Sequence, residues 1–278
     1  MENTPIGVFD SGVGGLSVLR ALWHELPGES FIYFADQAHV PYGPRPLEQV
    51  CAFSEAITRY LLGQGAGLIV VACNTASAAA LHRLREIFPQ TPFVGMEPAV
   101  KPAAEHTRSG RVGVLATPAT FQGALYASVV ERFANGVQLF QNTCPGLVAQ
   151  IEAGEIESPR TREILDHALG PMLAQGIDTV VLGCTHYPFV IPLIEQITGP
   201  GVRVIDPAPA IARQARRLLE GKRDLEADAP GEAAKRTQMI TTGAAERLAE
   251  VAKKLTGIEA NVKGAKWGVD LACQSPSV

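Results

Sequence analysis

Short runs of consecutive apolar residues recur along the chain, and they predict strands that are buried on both faces. The run Leu68-Ile69-Val70-Val71 shows no alternation with polar residues, which is typical of parallel strands covered by helices on both sides. Between such runs, apolar residues recur every three or four positions, as in Leu16, Leu19, Trp23 and Leu26, and this spacing predicts amphipathic helices. The alternation of the two patterns predicts an α/β protein with mainly parallel sheets flanked by helices.

The apolar pattern predicts nine strands. Residues 221–236 are charged and rich in glycine or alanine, which predicts a mobile linker. The strands are predicted at 5–10, 31–35, the run ending at Cys73, 92–96, 111–116, 137–141, the run ending at Cys184, the run ending at Asp206, and 237–241.

Two of these strands end in a cysteine, and they resemble each other over a wider stretch. Residues 70–75 resemble residues 181–186, and Cys73 and Cys184 lie 111 positions apart, as Gln64 and Gln175 do. The repeat continues at an offset of 106 for residues 6–11 with 112–117 and 31–34 with 137–140, and at 109 for 97–99 with 206–208. A small buried cysteine at one strand end needs no special explanation. The extended repeat, however, favours a duplicated α/β unit whose pseudo-twofold axis would set the two thiols across one cleft.

Length and composition agree with two domains. The 278 residues are 46% hydrophobic and 19% charged, with 27 glycines, which is typical of a globular α/β protein. The net charge of −4 argues against direct nucleic-acid binding, which favours a basic surface. Residues 1–5 have no basic start and no long apolar run follows, so we expect neither a signal peptide nor a membrane span, and a cytoplasmic location.

The five cysteines are an odd number without a CxxC motif, which fits reduced thiols better than a disulfide framework. Cys51, Cys144 and Cys273 lack the strand-end context and are interpreted as packing residues. No histidine and cysteine set has zinc-ligand spacing, and no lysine stands in a recognisable pyridoxal phosphate setting, so no cofactor is expected.

Two loops follow predicted strands and are candidates for ligand binding. Residues 10–15, Asp-Ser-Gly-Val-Gly-Gly, can turn tightly and present backbone N–H groups to an anion at the start of a helix. Residues 40–44, Val-Pro-Tyr-Gly-Pro, form a rigid loop. Loops after the carboxyl ends of parallel strands are where such folds bind ligands.

The paired thiols suggest proton transfer at a carbon atom. A reactive cysteine needs positive potential or a neighbouring base, and both Cys73 and Cys184 stand at predicted helix starts. His186 could carry the proton of Cys184, and Asp10 could serve Cys73. One thiol would remove a proton from a carbon and the other would return one to the opposite face, which inverts the centre.

Each candidate also has a plain structural interpretation. His186 would be a buried histidine bonded to backbone, Asp10 a helix cap, Glu152 a solvated carboxylate and Tyr42 an ordinary loop aromatic. Polar groups that could hold carboxylates and an ammonium group are Ser11, Asn74, Thr75 and Thr185.

Four motifs together resemble the glutamate racemase family of the aspartate/glutamate racemase superfamily, in order and over nearly the whole chain. They are Asp10-Ser11-Gly12-Val13-Gly14-Gly15-Leu16-Ser17, Val40-Pro41-Tyr42-Gly43, Ala72-Cys73-Asn74-Thr75-Ala76 and Gly183-Cys184-Thr185-His186-Tyr187-Pro188. The resemblance implies cofactor-independent racemisation of glutamate, which supplies D-glutamate for peptidoglycan synthesis and cell shape.

The resemblance also implies an architecture and site roles. We expect a first α/β domain over 1–98 plus 208–278, a second over 99–207, the active site between them, and a homodimer. Cys73 would act on D-glutamate with Asp10 as proton helper, and Cys184 on L-glutamate with His186. The implied substrate-binding residues are Asp10, Ser11, Tyr42, Gly43, Asn74, Thr75, Thr185 and His186, with Thr117, Thr120 and Glu152 nearby. The sequence departs from the family pattern at Gln37, His39, Gly146 and Ala149.

Three other functions remain open from the residues. The chain could racemise aspartate or another amino acid, or it could be a Cys/His hydrolase with Cys184 as nucleophile. It could also bind an amino acid without catalysis, or bind DNA gyrase, as reported for some members of the resembled family.

Overall fold

The computed structural model describes residues 4–220, 225 and 231–272. The first part of the chain forms β1 (Ile6–Asp10), α1 (Leu16–Glu25), β2 (Phe31–Ala35), α2 (Leu47–Gly63), β3 (Leu68–Val71), α3 (Asn74–Ile87) and β4 (Phe93–Gly95). The middle part forms α4 (Val100–His106), β5 (Arg111–Ala116), α5 (Pro118–Gln122), α6 (Ala124–Phe133), β6 (Gln138–Asn142), α7 (Leu147–Glu152), α8 (Pro159–Ala174), β7 (Thr179–Gly183), a 3₁₀ turn (Tyr187–Val190), α9 (Ile191–Thr198) and β8 (Arg203–Ile205). The last part forms α10 (Ala208–Leu219), α11 (Glu232–Lys235), β9 (Thr237–Thr241), α12 (Ala245–Thr256) and β10 (Val262–Gly264).

The strands form two parallel sheets with a common plan. The first has the order β10-β9-β2-β1-β3-β4, and the second has the order β6-β5-β7-β8. Every strand pair in both sheets is parallel. The order β2-β1-β3-β4 therefore recurs as β6-β5-β7-β8, as the sequence repeat predicts.

The register of the central strands repeats as well. Val8 of β1 pairs with Val70 of β3, and Val114 of β5 pairs with Val181 of β7. These pairs are related by the offsets found in the sequence, so the residues that follow β3 and β7 occupy corresponding places in the two sheets. Cys73 and Cys184 are among them.

Uninterrupted apolar strands arise because helices cover both faces of the first sheet. Leu68 and Val70 of β3 pack into a core cluster with α1, while Ile69 and Val71 pack into a second cluster with α2 and α3. All four side chains are buried, and each contributes about 1.5–3 kcal/mol to folding through burial. Alternate side chains of β3 thus pack into two different hydrophobic cores, one on each face of the sheet.

The structure confirms the α/β fold class, and it corrects two sequence predictions. Residues 231–236 were predicted as part of a mobile linker, yet Glu232–Lys235 form α11, with buried Ala233 packed into the first cluster. The nine-strand pattern missed β10, since Val262 is half-buried and Lys263 and Gly264 are exposed at a sheet edge. Residues 221–224 and 226–230 of the predicted linker, and Cys273, lie outside the described residues.

The division into domains at 98/99 and 207/208 stays a prediction. Strands β1–β4, β9 and β10 share one sheet and β5–β8 the other, and α10 packs on α1.

Within the described part of the chain, no helix has the length and apolar character needed to cross a bilayer.

Candidate active site

A cavity of about 240 Å³ lies where loops from the carboxyl ends of both sheets meet. From the first sheet it is lined by Ser11, Tyr42, Gly43, Cys73, Asn74 and Thr75, and from the second by Thr117, Cys144, Cys184, Thr185 and His186, among others. Both strand-end thiols thus border one space, as the repeat predicts. Of the eight predicted binding residues, seven line the cavity, and Asp10 lies fully buried beside Gly12 and Thr185.

Cys73 is the N-cap residue of α3. Its extended backbone places Sγ where the backbone N–H of Ala76 donates to it at 3.4 Å. Burial raises the pKa of the Cys73 thiol strongly, and the Asp10 carboxylate raises it further, while N–H groups of Ala76 and Ser11 lower it. Cys73 is therefore held as a protonated thiol when the cavity contains only protein groups.

Cys184 follows β7 directly and is paired with a histidine. Nδ1 of His186 lies 3.7 Å from Sγ of Cys184, and Nε2 of His186 lies 2.6 Å from Oε1 of Glu152. Burial lowers the pKa of His186, but hydrogen bonds with Cys184 and Glu152 outweigh it, so the pKa lies well above its ordinary value. The imidazole ring is therefore protonated at neutral pH and stands between a sulfur and a carboxylate.

Glu152 belongs to this network, which rules out the interpretation as a solvated carboxylate. It ends α7, and its Oε1 also accepts from the N–H of Val13 at 2.8 Å. Burial raises the pKa of Glu152, but the hydrogen bond and positive charge of His186 and the Val13 N–H bring it below the ordinary value. The carboxylate thus holds the His186 ring from the side opposite Cys184.

Asp10 links the two sheets. It ends β1, and its Oδ1 accepts from Gly12 N at 2.8 Å while Oδ2 accepts from Thr185 Oγ1 at 3.0 Å. Burial raises the pKa of Asp10 and the charge of Glu152 adds to this, whereas His186, Gly12 and Thr185 lower it. Asp10 is close enough to Cys73 to raise the pKa of its thiol.

Two glycines allow the loop after β1 to lie against this network. A Cβ on Gly12 would collide with the Glu152 carboxylate, and a Cβ on Gly14 would collide with the His186 ring. The structure therefore explains glycine at these two positions by the close approach of the loop backbone to Glu152 and His186, rather than by the anion binding that the sequence suggested.

An amide without hydrogen-bond partners and a row of hydroxyl groups lie beside the thiols. Asn74 is buried, and neither its Oδ1 nor its Nδ2 has a partner among the described residues, which is costly unless something else binds there. Thr75 Oγ1 lies 2.9 Å from Thr117 Oγ1, which lies 3.0 Å from Thr120 Oγ1. This row of hydroxyls crosses from one sheet to the other at the cavity wall.

Cys144 was predicted to be a packing residue without strand-end context. It does pack into the first core cluster, but the expected lack of strand-end context is wrong. It lies two residues after β6 and lines the cavity as a third thiol, and burial raises its pKa to about 12. Its position just after the predicted strand 137–141 is the sequence signal that could have placed Cys144 at the cavity. Cys51, in contrast, is half-buried on α2 away from the cavity.

The fold and the site define a class of enzyme. Two sheets of like topology present paired thiols to one small cavity, and the model of the Asp/Glu/hydantoin racemase family matches residues 6–215. The chain belongs to this family.

Within the family, the similar proteins are glutamate racemases. Those of Pseudomonas paraeruginosa and Ectopseudomonas mendocina are 56% and 51% identical to the chain, covering 78% and 94% of it and 82% and 98% of the relatives. The crystal structure of glutamate racemase isoform RacE1 from Bacillus anthracis has a TM-score of 0.83 at 31% identity, covering 96% of this chain and 98% of that one. Escherichia coli glutamate racemase in complex with L-glutamate and the activator UDP-MurNAc-Ala has a TM-score of 0.81 at 34% identity, covering 94% and 97%. The expected resemblance is confirmed, and the enzyme class is glutamate racemase, an isomerase.

Proposed function

We propose that the protein interconverts L-glutamate and D-glutamate by a two-base mechanism in which Cys73 and Cys184 act on opposite faces of the α-carbon. The observation that carries this proposal is that both thiols, at equivalent strand ends, line one cavity of about 240 Å³. Both proton transfers are assigned to side chains of this chain, with no cofactor.

In the direction from L-glutamate, Cys184 as thiolate takes the α-proton, and the electron pair left on carbon is delocalised into the substrate carboxylate. The Cys73 thiol then gives its proton to the other face, which leaves Cys73 as thiolate and Cys184 as thiol. The protonated state of Cys73, favoured by burial and by Asp10, suits this donor role. In the reverse direction the two thiols exchange roles.

His186 and Asp10 would move protons to and from the thiols. His186 Nδ1, 3.7 Å from Cys184 Sγ, is placed to stabilise the Cys184 thiolate and to give a proton to it. Glu152 would orient the ring and keep it charged. Asp10 would serve Cys73 on the other side, which is supported by their electrostatic coupling.

The substrate would be held by polar groups at the cavity wall. The unpartnered Asn74 amide, together with Ser11, Thr75 and Thr185, would bind the α-carboxylate and ammonium groups, and Tyr42-Gly43 and Thr117 would border the side chain. Complexes of solved relatives with L-glutamate and with D-glutamate support glutamate as the substrate. D-glutamate would then supply peptidoglycan synthesis in the cytoplasm, and a homodimer is the expected assembly.

Single thiol substitutions test the two-base assignment. Cys73→Ser and Cys184→Ser are each expected to lower kcat by about 10²–10⁴-fold in both directions, because inversion needs an acid and a base on opposite faces. Circular dichroism of L- and D-glutamate solutions follows the rate. Cys51→Ser, which removes a thiol on α2 outside the cavity, is the control and should keep the full rate. Near-normal turnover by either active-site variant would eliminate the assignment.

A further inference from the structure

A buried carboxylate behind the cavity gathers donors from its own loop and from two distant parts of the chain. Asp36 directly follows β2 and is fully buried. Its Oδ2 accepts from Tyr42 OH at 2.6 Å and lies 2.9 Å from His39 Nδ1, and its Oδ1 accepts from Thr242 Oγ1 and Trp267 Nε1, each at 2.7 Å. A buried carboxylate is stable only when it is this well satisfied.

One of these donors, Tyr42, belongs to the cavity wall. Tyr42 and Gly43 both line the cavity, and a Cβ on Gly43 would lie 2.9 Å from Cβ of Thr117, which follows β5 of the second sheet. The loop is thus packed tightly between the two sheets. The hydrogen bond from the Tyr42 hydroxyl to Asp36 joins this loop to the buried carboxylate.

Another donor, Trp267, comes from the segment after β10. The backbone N–H of Ala265 donates to Thr241 O at 2.8 Å, and Gly268 N donates to Leu271 O at 2.7 Å, so the segment is fixed on both sides of the indole. The Trp267 ring lies 5.3 Å from the Phe53 ring and 5.0 Å from the His39 ring, centroid to centroid.

His39 completes the connection. Its ring stacks on Phe53 with centroids 4.0 Å apart, and its carbonyl accepts from Arg45 Nε at 2.6 Å. His39 thus places a flat ring between Phe53 of α2 and Trp267. The indole N–H and the stacked rings together fix where the loop can lie.

We propose that Trp267 is a positioning residue for the reaction, which acts through Asp36 to hold the Tyr42-Gly43 loop against the cavity. The link to substrate rests on the proposed function, whereas the link between Trp267 and the loop does not. The residue lies outside the four sequence motifs and touches neither thiol.

Trp267→Phe tests this with Trp23→Phe as a matched control. Both changes remove an indole N–H donor, since Trp23 Nε1 donates to Thr237 Oγ1 at 2.8 Å in the core on α1. Trp267→Phe is expected to make amide hydrogen exchange over 38–46 about threefold faster, and to raise KM for glutamate about fivefold with kcat nearly unchanged. Trp23→Phe should change neither quantity. Unchanged loop exchange in Trp267→Phe, or an equal effect of Trp23→Phe, would overturn the proposal.

A double-variant cycle tests the route through Asp36. Tyr42→Phe removes another of the Asp36 donors, the one that lies on the loop itself, so adding Trp267→Phe to it should raise KM by less than about twofold more. If the KM increases of the two single variants instead multiply in the double variant, the two residues act independently, which would contradict a route through Asp36. If Trp267→Phe does not fold, Thr242→Val removes a donor to the same oxygen. Because Thr242 Oγ1 also accepts from the Ala38 N–H, exchange is then compared over residues 39–46, where it should also become faster. Absence of glutamate racemisation by the unmodified protein would defeat the proposed function, while the exchange measurement would still decide the role of Trp267.

Discussion

At the scale of single residues, the state of the site depends on charges that offset one another in a buried space. His186 keeps its proton because Cys184 and Glu152 stand on its two nitrogen atoms. Cys73 keeps its proton because burial raises the pKa of its thiol, and the nearby Asp10 carboxylate raises it further. One thiol is thus paired with a cation and the other with an anion, which is the asymmetry that a proton donor and a proton acceptor need.

Glu152→Gln tests the charge on His186. The substitution removes the carboxylate that helps to raise the pKa of His186, so this pKa should fall toward its ordinary value. The loss of kcat/KM at alkaline pH should therefore begin at lower pH than in the unmodified enzyme. A pH–rate profile measures this, and Glu163→Gln on the exposed face of α8 is the control. An alkaline limb that does not move would show that Glu152 does not set the charge of the ring.

Residue types at strand ends predicted most of the site, whereas contacts between distant segments could not be predicted. Cys73, Cys184, Asp10 and His186 each stand at or just after a strand that the apolar pattern reveals. The roles of Glu152 and Trp267 depend on which helix or turn folds back onto the strand ends. That is decided by three-dimensional packing, and no local pattern around either residue records it.

At the scale of elements, one acidic side chain joins a loop to the second sheet. Asp178 stands just before β7, and its carboxylate accepts from Thr107 Oγ1 at 2.6 Å and from the N–H groups of Arg108 and Ser109 at 2.6 and 2.7 Å. Burial raises the pKa of Asp178, but these hydrogen bonds and that of Thr179 lower it to about 2. The ionised carboxylate therefore stabilises the connection from α4 to β5.

Asp178→Asn should lower Tm at neutral pH and lose this effect in acid. A carboxyl group whose pKa is depressed on folding contributes stability above its unfolded pKa, near 3.8 here, and loses it as pH falls toward about 2. The Tm difference from the unmodified protein should thus be constant above about pH 5 and shrink below about pH 4. Thermal melts across this range measure it, with exposed Asp166→Asn as the control. A difference that persists unchanged in acid would assign the effect to packing.

The elements that the sequence predicted are those with a dense apolar pattern. Strands β1, β2 and β3 are buried along their whole length and were recognised from consecutive apolar residues. Strand β10 at the sheet edge and the four-residue α11 bury too few side chains to produce such a pattern. Their formation depends on neighbours that are already in place.

At the scale of the whole molecule, duplication explains why two thiols meet. The same strand order, repeated in two sheets, carries corresponding cysteines to corresponding places, and the sheets face each other across the cavity. The repeat was readable from sequence offsets alone. The closeness of the two sheets could not be predicted in this way, because it depends on contacts between loops across the cleft. Glycine at positions 12, 14 and 43 leaves room for these contacts.

Solvent hydrogen incorporation tests the central claim most directly. L-Glutamate is incubated with the enzyme in deuterium oxide, the reaction is quenched early, and the separated enantiomers are analysed by mass spectrometry. Because the proton given to the second face comes from a thiol that has exchanged with solvent, newly formed D-glutamate should carry deuterium at the α-carbon. The same should hold for L-glutamate formed from D-glutamate. Products that retain the original α-hydrogen would show that a single group carries it from one face to the other, and would contradict the two-thiol account.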